Sequence, residues 1–139
     1  MKISDQYLID TDIIIYWLKN KYPQINEKIV VVGESNVFIS AITVAELYFG
    51  AYNSSKCDEN VQLINELLME INVINFDSNT AEEFGRIKSK IKKKGKILND
   101  SDLFIAATAI THQMTLVTNN EKHFQRIENL TIQNWTKEI

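Results

Sequence analysis

The sequence is poor in the residues that staple, punctuate or anchor a chain. A single cysteine, Cys57, excludes an internal disulfide and any cysteine-cluster zinc site. One proline and four glycines leave no stretch that reads as a linker, and no repeat appears. No apolar run approaches the roughly 20 residues a membrane span requires. The opening MKISDQYLIDTD also lacks the basic start and apolar stretch of a signal peptide. The expectation is a cytoplasmic protein with no membrane contact. The 139 residues, 45% hydrophobic, suffice for one core and are too few for two, so residues 1–139 read as a single domain. Fifteen basic against 18 acidic side chains give a net charge of −3, which carries no whole-molecule signature of nucleic-acid binding.

What the chain does have is carboxylates in apolar surroundings. Asp10 lies in YLIDTDIII, Glu46 in FISAITVAELYFGAY and Asp102 in DSDLFIAATAI. Burying a charge near a core costs several kcal/mol unless something compensates it. Three such positions, with the polar TNN of Thr118 to Asn120 following the apolar run TLV, point to a cation site.

The patterning places these acids on a scaffold. Tyr7 to Ile9 read as a strand that runs into a helix over Ile13 to Leu18, with Thr11 or Asp12 as its cap. Val37 to Ile39 form a second strand, and a helix beginning at Ser40 or Thr43 buries Val44, Leu47, Tyr48 and Ala51 and carries Glu46 in about its first turn. A helix over Asp58 to Glu70, a strand over Val73 to Phe76 and a helix from Asn79 to about Lys94, stopped by Gly95, come next. The stretch Asp102 to His112 is helical with Asp102 at its amino end; strands follow at Met114 to Val117 and around Leu130 to Ile132. Strands alternating with helices predict an α/β fold, a three-layer α/β/α arrangement around a mainly parallel sheet of four to five strands. In such sheets the functional crevice lies beyond the carboxyl ends of the strands. Asp10, Glu46, Asp102 and the Asn119/Asn120 pair all map to that edge, so four distant positions predict one site.

Carboxylate oxygens without a histidine-rich shell suit Mg²⁺ or Mn²⁺ better than zinc. Such a site fits metal-assisted hydrolysis of a phosphodiester. The segments LIDTDIIIYWL, FISAITVAELYFGA, ILNDSDLFIAATAITHQMTLVTNNEKHF and LTIQNW, in this order, resemble a PIN-domain ribonuclease, and within that group the VapC toxins of type II toxin–antitoxin pairs. The resemblance implies a Mg²⁺-dependent endoribonuclease acting on structured RNA such as tRNA, homodimeric and inhibited by a cognate VapB-like antitoxin. It makes Asp10, Glu46 and Asp102 the metal-binding acids and gives Asn120 the corner that is often a fourth acid. Asp12 stands where the family commonly has Asn and is an additional candidate ligand. Thr11, Thr118 and Asn119 are candidates to orient the carboxylates.

Plainer readings stand beside these. A helix cap accounts for Asp10 or Asp102 taken singly, but not for Glu46, the only charged side chain between Val37 and Tyr52. Asp100, Asp5, Asp58 and Asp77 read as cap or loop residues, and His112 and His123 as structural. The lysine-rich segment Arg86 to Lys96 is either a solvated helix face or, through Lys88, Lys92, Lys93, Lys94 and Lys96, a strip that touches RNA phosphates. Two alternatives to the toxin remain: a PIN nuclease of RNA processing or decay, and a degenerate PIN module that binds without cutting, for which Asn120 is the motive.

Overall fold

Leu8 and Ile9 are both buried yet belong to different cores, and that alternation along one strand sets the layers of the molecule. The computed structural model describes residues 5–137; residues 1–4 and 138–139, which the single-domain reading of 1–139 takes in, lie outside the described residues. Strand β1 (Tyr7–Ile9) pairs in parallel with β2 (Val37–Ser40) on one side and β4 (Thr115–Val117) on the other. Strand β3 (Asn72–Ile74) joins β2, and β5 (Ile132–Gln133) joins β4. The sheet order is β3-β2-β1-β4-β5, every pairing parallel, so five strands realise the expected architecture.

Ile9, Ile39 and Val117 point to the core beneath α1 (Thr11–Leu18), α2 (Pro23–Val32), α3 (Ala41–Tyr52) and α4 (Cys57–Glu70). Leu8 and Leu116 point to the opposite core, closed by α5 (Ser78–Lys93), α6 (Asp100–Thr111) and Phe124 of the short α7 (Glu121–Phe124). Gly95 ends the turn after α5 at φ +72°, a left-handed conformation that favours glycine.

Several expected boundaries shift, each for a local reason. The cap of α1 is Asp10 itself, not Thr11 or Asp12: its Oδ1 accepts from the Thr11 amide. Asp102 is the third residue of α6, because Asn99 takes the cap and accepts from the Asp102 amide at 2.8 Å. Glu46 sits in the second turn of α3, whose cap is Ser40. Strand β3 ends at Ile74, and Phe76 leaves the ladder to pack edge-on against Phe104 at 4.9 Å. The last strand is Ile132–Gln133, two residues later than expected at its start. Helices α2 and α7 and a 3₁₀ turn over Glu34–Asn36 were not foreseen.

Phe124 is fully buried and anchors the short helix that follows Asn119 and Asn120. Phe124→Ala should therefore cost ~3–5 kcal/mol in urea unfolding. Val31→Ala, on a residue 78% exposed, should stay within about 0.5 kcal/mol. A Phe124→Ala loss below about 1 kcal/mol would remove this helix from the cooperative core.

Candidate functional site

The strand order reverses between β1 and β4, since their connections leave in opposite directions across the sheet, and a crevice opens at such a switch point. Asp10 follows β1 and Thr118 follows β4, side by side. The Asp10 amide donates to the Val117 carbonyl at 2.8 Å, extending the ladder by one residue and fixing its backbone. Its carboxylate is 4% exposed. Thr118 Oγ1 donates to Asp10 Oδ2 at 2.7 Å, and the Thr11 amide donates to Oδ1 at 2.8 Å. Thr118 in turn accepts from the Asn120 amide at 2.9 Å, so the loop after β4 is tied to Asp10 through one hydroxyl.

Asp12, in the first turn of α1, accepts from the Ile13 amide at 2.7 Å on Oδ1 and from the Asn119 amide at 3.2 Å on Oδ2. Glu46 reaches the same region through Thr11, whose Oγ1 donates to Glu46 Oε1 at 2.7 Å and lies 3.1 Å from Thr43 Oγ1. Asp102 stands across the crevice on α6, with His123 Nδ1 at 3.5 Å from its Oδ2.

Charge accumulates here without a lysine or arginine partner. Burial first, then the Asp12 carboxylate, pushes Asp10 from its ordinary 3.8 up to about 7; Asp102 adds to the rise, and the Thr118 and Thr11 hydrogen bonds oppose it. Asp12 is also raised, chiefly by burial, with Asp102 contributing. Among the described residues no lysine or arginine forms an ion pair with Asp10, Asp12, Glu46 or Asp102.

The donor set is made of hard oxygens, and its unneutralised charge fits a divalent cation such as Mg²⁺. Among the described residues no three acidic, histidine or cysteine side chains form a closed cage. Mg²⁺ does not need one, because it keeps several waters and uses one or two carboxylates. A cleft of about 910 Å³ between α2 and the segment after β5 is lined by Glu121 and Asn134 but by none of the four acids.

The structure brings Asp10, Asp12 and Asp102 within electrostatic reach of one another and joins Glu46 through Thr11. Thr118 donates its hydroxyl and Asn119 its backbone amide to carboxylates. Asn120 enters through its backbone, its side chain being exposed with no hydrogen bond among the described residues. Lys88 pairs with Asp100, and Lys90 and Lys94 with Glu128. Of the candidate strip, Lys92, Lys93 and Lys96 remain exposed without an ion pair among the described residues. His112 bonds the Thr108 carbonyl at 3.0 Å, a structural role. His123, read as structural, lies 3.5 Å from Asp102. Its place one helical turn after Asn120 was the only hint.

The PIN domain profile matches residues 7–130. Ribonuclease VapC2 of Rickettsia felis is 35% identical over 133 residues, covering 94% of this chain and 98% of that protein. The tRNA(fMet)-specific endonuclease VapC of Shigella flexneri is 28% identical with the same coverage of both. The crystal structure of DNA-bound VapBC from Salmonella typhimurium superposes with a TM-score of 0.89 at 30% identity, covering 94% of this chain and 98% of that one.

A carboxylate raised in the folded state binds a proton that the unfolded chain releases, so its stabilising contribution is present below 3.8 and lost as pH rises through about 7. The acids with lowered values, Asp77, Glu83, Glu121 and Glu128, lose their contribution only on acidification below the usual carboxylate range. Metal-free protein should therefore melt several degrees lower at about pH 8.5 than at about pH 5. Asp10→Asn should flatten that slope, and Mn²⁺ should raise Tm most at the higher pH. A slope unchanged by Asp10→Asn would show that the Asp10 carboxylate is not the group responsible.

Proposed function

The chain belongs to the PIN-domain family, in its VapC branch, and from that premise we propose that it is a Mg²⁺- or Mn²⁺-dependent endoribonuclease that hydrolyses phosphodiester bonds of a structured RNA such as tRNA. The observation that carries this reading is the buried Asp10 carboxylate, crowded by Asp12 and Asp102 and lacking a basic partner. Asp10, Asp102 and Glu46 would hold the cation, with Asp12 an additional ligand and Asn120 assisting. When bound, such an ion supplies a nucleophilic water near neutral pH and offsets charge on the scissile phosphate.

The protein's own groups do the positioning. Thr118 and the Thr11 amide each hold one oxygen of Asp10, which fixes the carboxylate plane at the strand end. The Thr11 hydroxyl ties Glu46 to the start of α1, so the acids from β1 and α3 move as one unit. Lys92, Lys93 and Lys96 are the cations of the strip left to meet phosphate.

A VapB-like antitoxin as inhibitor is supported by solved relatives that are VapBC complexes. Exposed apolar side chains such as Val30, Phe49 and Tyr52 suit protein contacts, whether with that partner or in a homodimer. A cytoplasmic location follows from an RNA substrate, and no helix among the described residues is long and apolar enough to cross a membrane. The feature that favours a non-cutting module is Asn120, which brings no charge to its corner.

RNA cleavage with Mg²⁺ or Mn²⁺ should be abolished by chelator, and Asp10→Asn or Asp102→Asn should each lower kcat by at least ~10²-fold. Full activity in both variants would sink the site, and metal binding without cleavage by the parent would favour the non-cutting module. Replacing Lys92, Lys93 and Lys96 with Gln should weaken RNA affinity and reduce the salt slope by about two to three, since each phosphate that a lysine neutralises adds ~0.7–0.9 to it. An unchanged slope returns the segment to a solvated face.

A further inference from the structure

The segment after β5 is bonded to the loop that carries Asn119, and Asn134 is the hub of that junction. Its amide nitrogen donates to Asn119 Oδ1 at 3.0 Å and to Glu121 Oε2 at 3.2 Å. Its Oδ1 accepts from the Thr136 amide at 3.0 Å and from Thr136 Oγ1 at 2.7 Å. Two donors and two acceptors are all the side chain has, so Asn134 is used to capacity by protein partners. An asparagine on a surface segment ordinarily meets water for at least part of that demand.

The segment around it is pinned from both sides. Trp135 is buried and packs against Tyr7 of β1 with ring centroids 5.4 Å apart. Gln24 of α2 donates to the Thr136 carbonyl at 2.8 Å, and Lys137 pairs with Glu121. Thr136 Oγ1 also lies 3.2 Å from Asn119 Oδ1.

All this anchoring converges on a residue with one evident task. Asn119 donates its backbone amide to Asp12 Oδ2, and its side-chain nitrogen lies 3.5 Å from the Tyr16 hydroxyl. Asp12 shares its neighbourhood with two other carboxylates, so repulsion favours turning it out to solvent. A hydrogen bond resists that only if its donor is itself immobile.

We propose that Asn134 is a positioning residue of the acidic edge, which acts through Asn119 to hold the Asp12 carboxylate in place. The inference rests on the reading that these acids bind a divalent cation, and it adds a group 15 positions beyond Asn119 to the machinery.

The test is a double-mutant cycle on the full chain, with Mn²⁺ affinity by calorimetry and RNA cleavage kinetics as readouts. Asn134→Ala should weaken Mn²⁺ binding about tenfold, the lower end for loss of a group that orients a ligand. It should lower kcat with KM for RNA changed less than about twofold. In an Asp12→Asn background the same substitution should change neither readout by more than about twofold, because the group it acts through is gone. Thr136→Val should give a smaller loss of the same kind, restored by Thr136→Ser. That pair carries the test if Asn134→Ala fails to fold or Asp12→Asn binds too weakly to titrate, and equal Mn²⁺ affinity in Val and Ser variants then overturns the proposal. Unchanged Mn²⁺ affinity in folded Asn134→Ala, or an equal loss in both backgrounds, would return Asn134 to a purely structural pin. A parent protein that binds no Mn²⁺ at all would overturn the metal reading itself, and the proposal with it.

Discussion

Ionising Asp10 is the constraint around which the rest of the edge is arranged. A carboxylate 4% exposed loses most of its hydration, a penalty of several kcal/mol. Two hydrogen bonds to the charged form return ~1.5–3 kcal/mol each, and the amino end of α1 adds up to ~2 kcal/mol. Asp12 and Asp102 act in the opposite direction. That Asp10 still rises to about 7 means the compensation is incomplete by a few kcal/mol, at ~1.4 per pKa unit. The fold leaves a deficit of positive charge at one point.

The sheet makes that point rigid. Leu8 and Ile9 are locked into opposite cores, so the backbone entering Asp10 is held from both faces. The same alternation in β4, with Leu116 on one side and Val117 on the other, fixes Thr118. Two adjacent parallel strands thus deliver an acid and its hydrogen-bond donor to the same height, which no single loop could do as reproducibly. Asp102 comes from a helix whose next buried residues, Leu103, Ile105 and Ala106, seat it against the second core. The acids are therefore carried by packed elements, whereas Lys88 and Lys90 of α5 and Lys94 just past its end pair with Asp100 and Glu128 on the surface.

Much of this is readable from the chain because acids in apolar runs are a loud signal, although only Asp10 is fully buried and Glu46 and Asp102 are half-buried. Asp10, Glu46 and Asp102 interrupt apolar runs, and strand–helix alternation alone brings them to one edge. Signals that depend on spacing within short elements were weak. Helix α2 buries only Ile25 and Ile29 and exposes Val30 and Val31, so its hydrophobic residues do not describe one clean face. Helix α7 has four residues, too few for a period. Caps are ambiguous where oxygen-bearing residues lie close together: the structure gives α1 the Asp10 cap of the plainer reading rather than Thr11 or Asp12, and gives α6 Asn99 rather than Asp102. The Asn134 hydrogen bonds and the approach of His123 to Asp102 join residues that local pattern cannot relate, and only the fold brings them together.

The corner that lacks an acid at Asn120 does not lack negative charge. Asp12 accepts from the amide of Asn119, the residue immediately before Asn120, so its carboxylate lies against the very loop on which a fourth acid would stand. On the proposed metal reading, Asp12 brings charge to that corner from α1 rather than from the start of α7. This placement has a mechanical consequence. An acid at position 120 would move with its own loop, but Asp12 stays registered to that loop only through the Asn119 amide, and a single hydrogen bond 3.2 Å long is easily broken by like-charge repulsion. Holding Asp12 there therefore depends on how firmly the loop after β4 is fixed, from within by the Thr118 hydroxyl between Asp10 and the Asn120 amide and from outside by the segment after β5. The hydrogen bond from Asn134, next to Trp135 in the first core, is the outside part of that fixing.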